Sequence, residues 1–160
     1  MVVSGGDCYQ LTAEQIAMIG EVLIDIPHVK RFRFATKGLV AAPSRILDDT
    51  DGWTHQIIRI SQMARKKGKN VAIHTHFNHP NEITWVTRLA AQRLFENGVT
   101  VRNQTVLLKG VNDTVGTMSK LIRDLADLSF MPVSPSLPPL HFAQTRSQTN
   151  TNQIVLRLPG

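Results

Sequence analysis

The sequence predicts an α/β protein built on a parallel sheet, and three observations lead there. Short runs rich in Val, Ile, Phe and Thr alternate, four times in succession, with longer stretches whose apolar residues recur every three or four positions. Helix-starting Thr and helix-ending Gly residues punctuate those stretches, and polar clusters gather just after the strand-like runs. Strand followed by helix in repeated order requires parallel pairing with crossover helices.

Met1 to Ser4 reads as a short buried strand, followed at once by the turn Gly5-Gly6-Asp7. Thr12 is an N-cap and Gln15 completes a capping box for a helix carrying Ile16, Ile19 and Leu23 on one side up to Asp25-Ile26-Pro27. Lys30 to Thr36 alternates charged and aromatic residues with period two, as a second strand does, and runs into Lys37-Gly38. Leu39 to Thr50, with Pro43 and the cluster Asp48-Asp49-Thr50-Asp51-Gly52, reads as loop with at most a short helical turn. Asp51 or Thr50 then caps a second helix with Ile57, Ile60 and Met63-Ala64 inward as far as Gly68.

Asn70 to Phe77 is the third strand. Thr84 opens a third helix in which Val86, Leu89, Ala90, Arg93 and Leu94 recur at helical spacing, and Asn97-Gly98 stops it. Val99 to Leu108 reads as a fourth strand, interrupted by Arg102-Asn103-Gln104. Val115 to Leu128 is the fourth helix, with Met118, Leu121-Ile122 and Leu125 inward. Phe130 to Val133 could start a fifth strand, but Pro132, Pro135, Pro138 and Pro139 block a central ladder position. Residues 132–160 are expected to form an atypical Pro/Gln/Thr-rich tail, poorly ordered, beside a folded unit over 1–131.

Composition narrows the function. A chain of 160 residues with 42% hydrophobic content is long enough for one cored domain, and no apolar run is long enough to span a membrane. Cys8 is the single cysteine, which excludes an internal disulfide and a Cys-only metal site within the chain and makes a reducing cytoplasm the default location. The net charge is +6, yet the densest basic run, Arg65-Lys66-Lys67-Gly68-Lys69, falls where a helix ends and cations favour its dipole. With one Tyr and two Trp, none interleaved with that run, nucleic-acid binding is not expected. An anionic cofactor is a better use of the positive charge.

The chemistry gathers in His74-Thr75-His76-Phe77-Asn78-His79-Pro80-Asn81-Glu82, at the end of the apolar run Val71-Ala72-Ile73. The carboxyl end of a parallel strand is where ligands meet side chains, because the following loop opens there. Three His, two Asn and one Glu in nine residues would be costly to fold around without partners, so the stretch reads as an active-site rim. Asn78, Asn81 and Glu82 suit loop fixing and helix capping. Thr36-Lys37 stands at another strand end and reads first as solvated loop.

Ser4-Gly5-Gly6-Asp7, the segment from His74 to Thr84, and Asn103-Gln104-Thr105-Val106-Leu107-Leu108-Lys109-Gly110-Val111-Asn112-Asp113 together resemble the lysine 2,3-aminomutase family of radical S-adenosylmethionine enzymes, in residue type, order and spacing. The similarity covers about residues 1 to 131. It implies an incomplete (β/α) barrel of the radical S-adenosylmethionine type, with about four to five parallel strands, from an isomerase that moves an amino group between adjacent carbons of lysine or a related amino acid. The implied cofactors are S-adenosylmethionine, a 4Fe-4S iron-sulfur cluster and pyridoxal phosphate; the implied partner is a small amino-acid substrate, and a homo-oligomer is compatible with the parent enzyme.

By the same resemblance Gly5, Gly6 and Asp7 match the glycine-glycine-acid turn that meets the ammonium of S-adenosylmethionine, and His76 and Gln104 match positions that reach the same molecule. The family's CxxxCxxC cluster motif is absent, Cys8 cannot replace three thiolates, and no Schiff-base lysine is assigned. The expectation is therefore a fragment, inactive by itself. Two alternatives stand beside it. His74 and His76 share one face of a strand and His79 could add a third ligand, as in a metal-dependent hydrolase; or the chain is a non-catalytic remnant.

Overall fold

The computed structural model describes residues 1–133 and the two-residue strand Gln153–Ile154. Five strands form one parallel sheet in the spatial order β1 (Val2–Val3), β2 (Arg31–Ala35), β3 (Asn70–Thr75), β4 (Thr100–Asn103) and β6 (Met131–Pro132). A separate antiparallel pair joins β5 (Leu107–Leu108) to β7 (Gln153–Ile154). Strand order follows chain order without reversal, as in a segment of a barrel, whereas a doubly wound sheet turns back at a switch point. The five-stranded parallel sheet with crossover helices is compatible with a partial barrel. The expected tail, 132–160, lies outside the described residues except for Pro132, Val133 and β7.

The helices are α1 (Ala13–Asp25), α2 (Gly38–Ala41), α3 (Ser44–Leu47), α4 (Trp53–Lys66), α5 (Trp85–Glu96) and α6 (Val115–Asp127). Local chemistry accounts for their ends. Thr12 and Gln15 form a reciprocal capping box at α1, and Thr84 and Thr87 form one at α5. Gly68 and Gly98 take left-handed backbone just past α4 and α5, with φ of 67° and 70°. At the far end of α1, the buried Lys69 ammonium donates to the carbonyls of Ile24 and Ile26, both at 2.6 Å, so a charge is buried by capping a helix.

One face of the sheet is the core. Phe32, Phe34, Val71, Ile73 and Val101 alternate along β2, β3 and β4 and pack with Ile16, Leu23, Ile57, Ile60 and Leu94 of the helices. Trp53, fully buried, meets Tyr9 edge-on at 5.0 Å, and Arg45 lies over both rings while its guanidinium bonds Asp51 and the Tyr9 carbonyl.

The expected elements recur with several differences. The stretch 99–108, expected as one strand, is divided, since β4 ends at Asn103 and β5 pairs in the separate sheet, and β1, expected to be buried, leaves Val2 exposed. Residues 38–47 hold two short helices, α2 and α3, where loop with a short helical turn was expected, because Leu39 and Ile46 are fully buried anchors. Gly52, with φ 72°, occupies the α4 N-cap in place of Thr50 or Asp51, although the Asp51 carboxylate accepts from the Trp53 amide at 2.8 Å. The third strand ends at Thr75, two residues early, because the Phe77 amide leaves the ladder for the Asn103 side chain. Leu89 and Ile122 are exposed at 45% and 49%, since α5 buries Thr87, Ala90, Ala91 and Leu94, and α6 buries only Leu121 and Leu125.

Candidate functional site

Four strand ends converge on one rim. After β1, Asp7 caps a 3₁₀ turn (Cys8–Gln10): its carboxylate accepts from the Tyr9 amide and, across to the end of β2, from the Lys37 amide, both at 2.9 Å. Thr36 is buried at 3% exposure, accepts from the Gly38 amide at 2.8 Å, and bonds Asp7. Of the Thr36-Lys37 stretch expected to be solvated loop, Thr36 is packed and the Lys37 side chain is exposed, with its backbone amide tied to Asp7. Burial pushes the Asp7 carboxyl up, but the Thr36 hydroxyl, the Tyr9 and Lys37 amides and nearby His76 outweigh it, so the group sits below its ordinary value and is anionic at neutral pH.

The β3 and β4 ends meet through His76. Its Nδ1 lies 3.1 Å from the Gln104 carbonyl, and a carbonyl can only accept, so Nδ1 carries a hydrogen and Nε2 is the ring's remaining hydrogen-bonding atom. The Gln104 amide in turn donates to the Thr75 carbonyl at 2.9 Å. Asp7, His76 and Gln104 are thus brought to one rim by the ends of β1, β3 and β4. Gly5, in left-handed backbone at φ 126°, and Gly6 both have open space where a Cβ would stand, so the turn before Asp7 leaves its backbone accessible.

The residues beyond His76 build the rim. Glu82 accepts from the amides of Asn78 at 2.5 Å and His79 at 3.1 Å, and the Asn78 side chain accepts from the Val106 amide at 2.8 Å. Loop fixing by Asn78 and Glu82 is as expected. Two asparagines at the centre of this network escaped a reading by patterns. Asn103, 1% exposed, accepts from the Phe77 amide and donates to the Phe77 carbonyl and the Thr105 hydroxyl. Asn112, fully buried, accepts from the Leu108 amide at 2.6 Å and donates to the carbonyls of Asn78 at 2.7 Å and Val106 at 2.8 Å. The one available signal was two Asn at the borders of a single strand-loop segment, and neither periodicity nor capping rules weigh that.

The histidine cluster does not assemble a metal centre. The His74 and His76 rings stack at 5.7 Å with 7° between planes, while His79 Nδ1 accepts from the Asn81 amide at 3.1 Å and serves as a cap. No group of three His, Cys, Asp or Glu side chains among the described residues is arranged to hold an ion, and the hydrolase alternative finds no support. Cys8 is buried, donates its thiol to the Val3 carbonyl at 3.1 Å, and has its pKa raised by burial. A thiol so held is no cluster ligand.

No family model matches the chain. Curated relatives do. It is 37% identical over 132 residues to L-lysine 2,3-aminomutase of Clostridium subterminale and 36% identical to that of Acetoanaerobium sticklandii, in each case over 82% of this chain and 29% of the relative. Glutamate 2,3-aminomutase of Clostridioides difficile is 36% identical over the same shares. Over this stretch the chain is a homologue of the 2,3-aminomutases. The resemblance carried by the glycine-glycine-acid turn, the histidine segment and the asparagine segment thus agrees with the aminomutase names. The chain spans about a third of the length of the aminomutases it matches. Among the described residues, no helix is long and apolar enough to cross a membrane.

Proposed function

We propose that this chain corresponds to the central strands of a radical S-adenosylmethionine aminomutase barrel, and that its rim is the part of that active site which receives S-adenosylmethionine. The observation that carries the reading is the convergence of Asp7, His76 and Gln104 at the ends of β1, β3 and β4, inside a segment homologous to aminomutases. The substrate is a small amino acid, lysine or a relative such as glutamate.

The rim fits one of the three implied cofactors. An anionic Asp7 beside the open backbone of Gly5-Gly6 suits an ammonium group, and His76 Nε2, with its ring held by the Gln104 carbonyl, supplies a further polar contact. S-adenosylmethionine, bound to a cluster, would supply the radical that begins an amino shift. The chain's own residues bind and orient it: Asp7 holds a fixed negative charge, and the Gln104 carbonyl locks the His76 ring. Neither of the other two groups fits. Among the described residues, buried Cys8 is bonded to the Val3 carbonyl and cannot hold an iron-sulfur cluster, and the one buried lysine, Lys69, is spent on the carbonyls of Ile24 and Ile26 and is not free for pyridoxal phosphate.

A chimera tests the reading. Residues 1–131 replace the matching segment of the Clostridium subterminale enzyme, and the amino shift on lysine is assayed. Retained turnover that falls at least a hundredfold on His76→Ala or Asp7→Ala supports it, and a folded chimera whose turnover is indifferent to both changes refutes it. The 160-residue chain alone should show no amino shift and no micromolar affinity for S-adenosylmethionine by calorimetry, because hydrogen bonds each worth roughly 0.5–1.5 kcal/mol net do not offset the cost of association.

A further inference from the structure

The face of the sheet opposite the core carries a second polar site, away from the rim. Strand register puts its residues in layers: Arg33 of β2 beside Ala72 of β3, and His74 of β3 beside Arg102 of β4. Side chains at paired positions of a parallel sheet point the same way, so Arg33, Ala72, His74 and Arg102 share this face. Two arginines lie one strand apart across β3, about 10 Å between their strands. The small Ala72 leaves room between them. Arg33, Ala72 and Arg102 line a cleft of about 280 Å³, and no Asp or Glu stands on this face of β1, β2, β3 or β4.

Such an arrangement is unfavourable as it stands. Arg33 Nε and Arg102 Nε are buried with no hydrogen-bond partner among the described residues, and so is Nε2 of His74, a side chain 4% exposed. Neither arginine pairs with an acid among the described residues. Each unpaired buried donor costs free energy, and the two cations repel. A structural role would have brought partners, as it did for the buried Lys69 and for Arg45. The three orphaned nitrogens belong to one face: His74 stands beside Arg102, and Arg33 stands beside Ala72, one layer away along β3.

We propose that this inner face binds a small oxyanion, a carboxylate or a phosphate group, gripped between the guanidinium forks of Arg33 and Arg102 with His74 Nε2 donating a third hydrogen bond. Guanidinium matches either group with paired N–H donors, which the point charge of lysine cannot do. The depressed basicity of His74, caused by burial first and then by Arg33, His76 and Arg102, keeps its ring neutral and leaves the two arginines as the charge on the site. The proposal is independent of the aminomutase reading, since it needs neither S-adenosylmethionine nor turnover.

Calorimetric titration of the 160-residue chain with inorganic phosphate and with acetate, at constant ionic strength set with chloride, tests it. Saturable one-to-one binding of one probe is expected, weakened at least tenfold in Arg33→Lys and in Arg102→Lys, which keep the charge but lose the fork, and unchanged in Arg123→Gln on the exposed side of α6. Preference for phosphate assigns a phosphorylated ligand, and preference for acetate assigns a carboxylate. Circular dichroism checks that each variant folds, and shifts of the arginine Nε–H resonances on adding the probe give a second readout on the unaltered chain. Absence of saturable binding with unmoved resonances, or binding that survives both arginine changes, overturns the site.

Discussion

The rim and the inner face lie on the same strands yet treat polar groups in opposite ways. At the rim, Asn103 and Asn112 make three hydrogen bonds each and Glu82 two, so the loops after β3 and β4 are one knit unit. On the inner face, Arg33, His74 and Arg102 each keep a buried nitrogen without a partner. The comparison teaches that polarity is architectural where donors and acceptors close on each other; the fourth unpartnered buried group, the Thr75 hydroxyl at the end of β3, stands alone, whereas the three nitrogens of the inner face share one side of the sheet.

The largest effect should come from untying the rim. Asn112→Ala removes a fully buried side chain and orphans the Leu108 amide and the Asn78 and Val106 carbonyls, which are half-buried, and a loss of about 3 kcal/mol is expected by urea denaturation, from roughly 1 kcal/mol per group at the low end of the range for an unsatisfied buried group. A variant as stable as the parent chain would mean that water replaces this side chain and the rim is not a closed network.

Next comes acid. Burial, with help from Arg33, His76 and Arg102, lowers the His74 pKa from 6.5 to about 4. The unfolded chain then binds a proton that the folded one refuses between those values, so stability is complete above about 6.5 and falls as the pH drops toward 4. The loss should approach ~2 kcal/mol by thermal or urea unfolding across that window, and His74→Gln should flatten it. An unchanged pH profile in that variant would place the acid sensitivity elsewhere.

Smaller is Glu82→Gln, which keeps the shape of the cap but removes the charge received by the Asn78 and His79 amides. About 1 kcal/mol is expected, with faster hydrogen exchange at those two amides as the local signature. The smallest is Lys120→Ala, since Lys120 is exposed, its 2.8 Å pair with Asp124 is spaced i to i+4, and the half-buried Asp124 keeps a second cation, Arg88, at 3.9 Å. A change within ~0.5 kcal/mol that vanishes in high salt is expected, and a larger one would show that Asp124 is held more tightly than a surface pair allows.

By itself, the sequence determined the alternation of strands and helices, the capping boxes at Thr12 and Thr84, the left-handed stops at Gly68 and Gly98, and the gathering of chemistry at strand ends. These follow from interactions within a few residues, where side chains read out backbone geometry directly. It also carried the aminomutase likeness, because motif order survives in the linear chain. Only the tertiary structure decided that residues 38–47 fold into short helices on buried Leu39 and Ile46, that Leu89 and Ile122 face outward, and that His79 is a cap. The same holds for Asn103 reaching back to Phe77, and for Arg33 and Arg102, 69 positions apart, facing one cleft. Burial and long-range hydrogen bonding depend on which strand lies beside which, and that register is a property of the packed sheet.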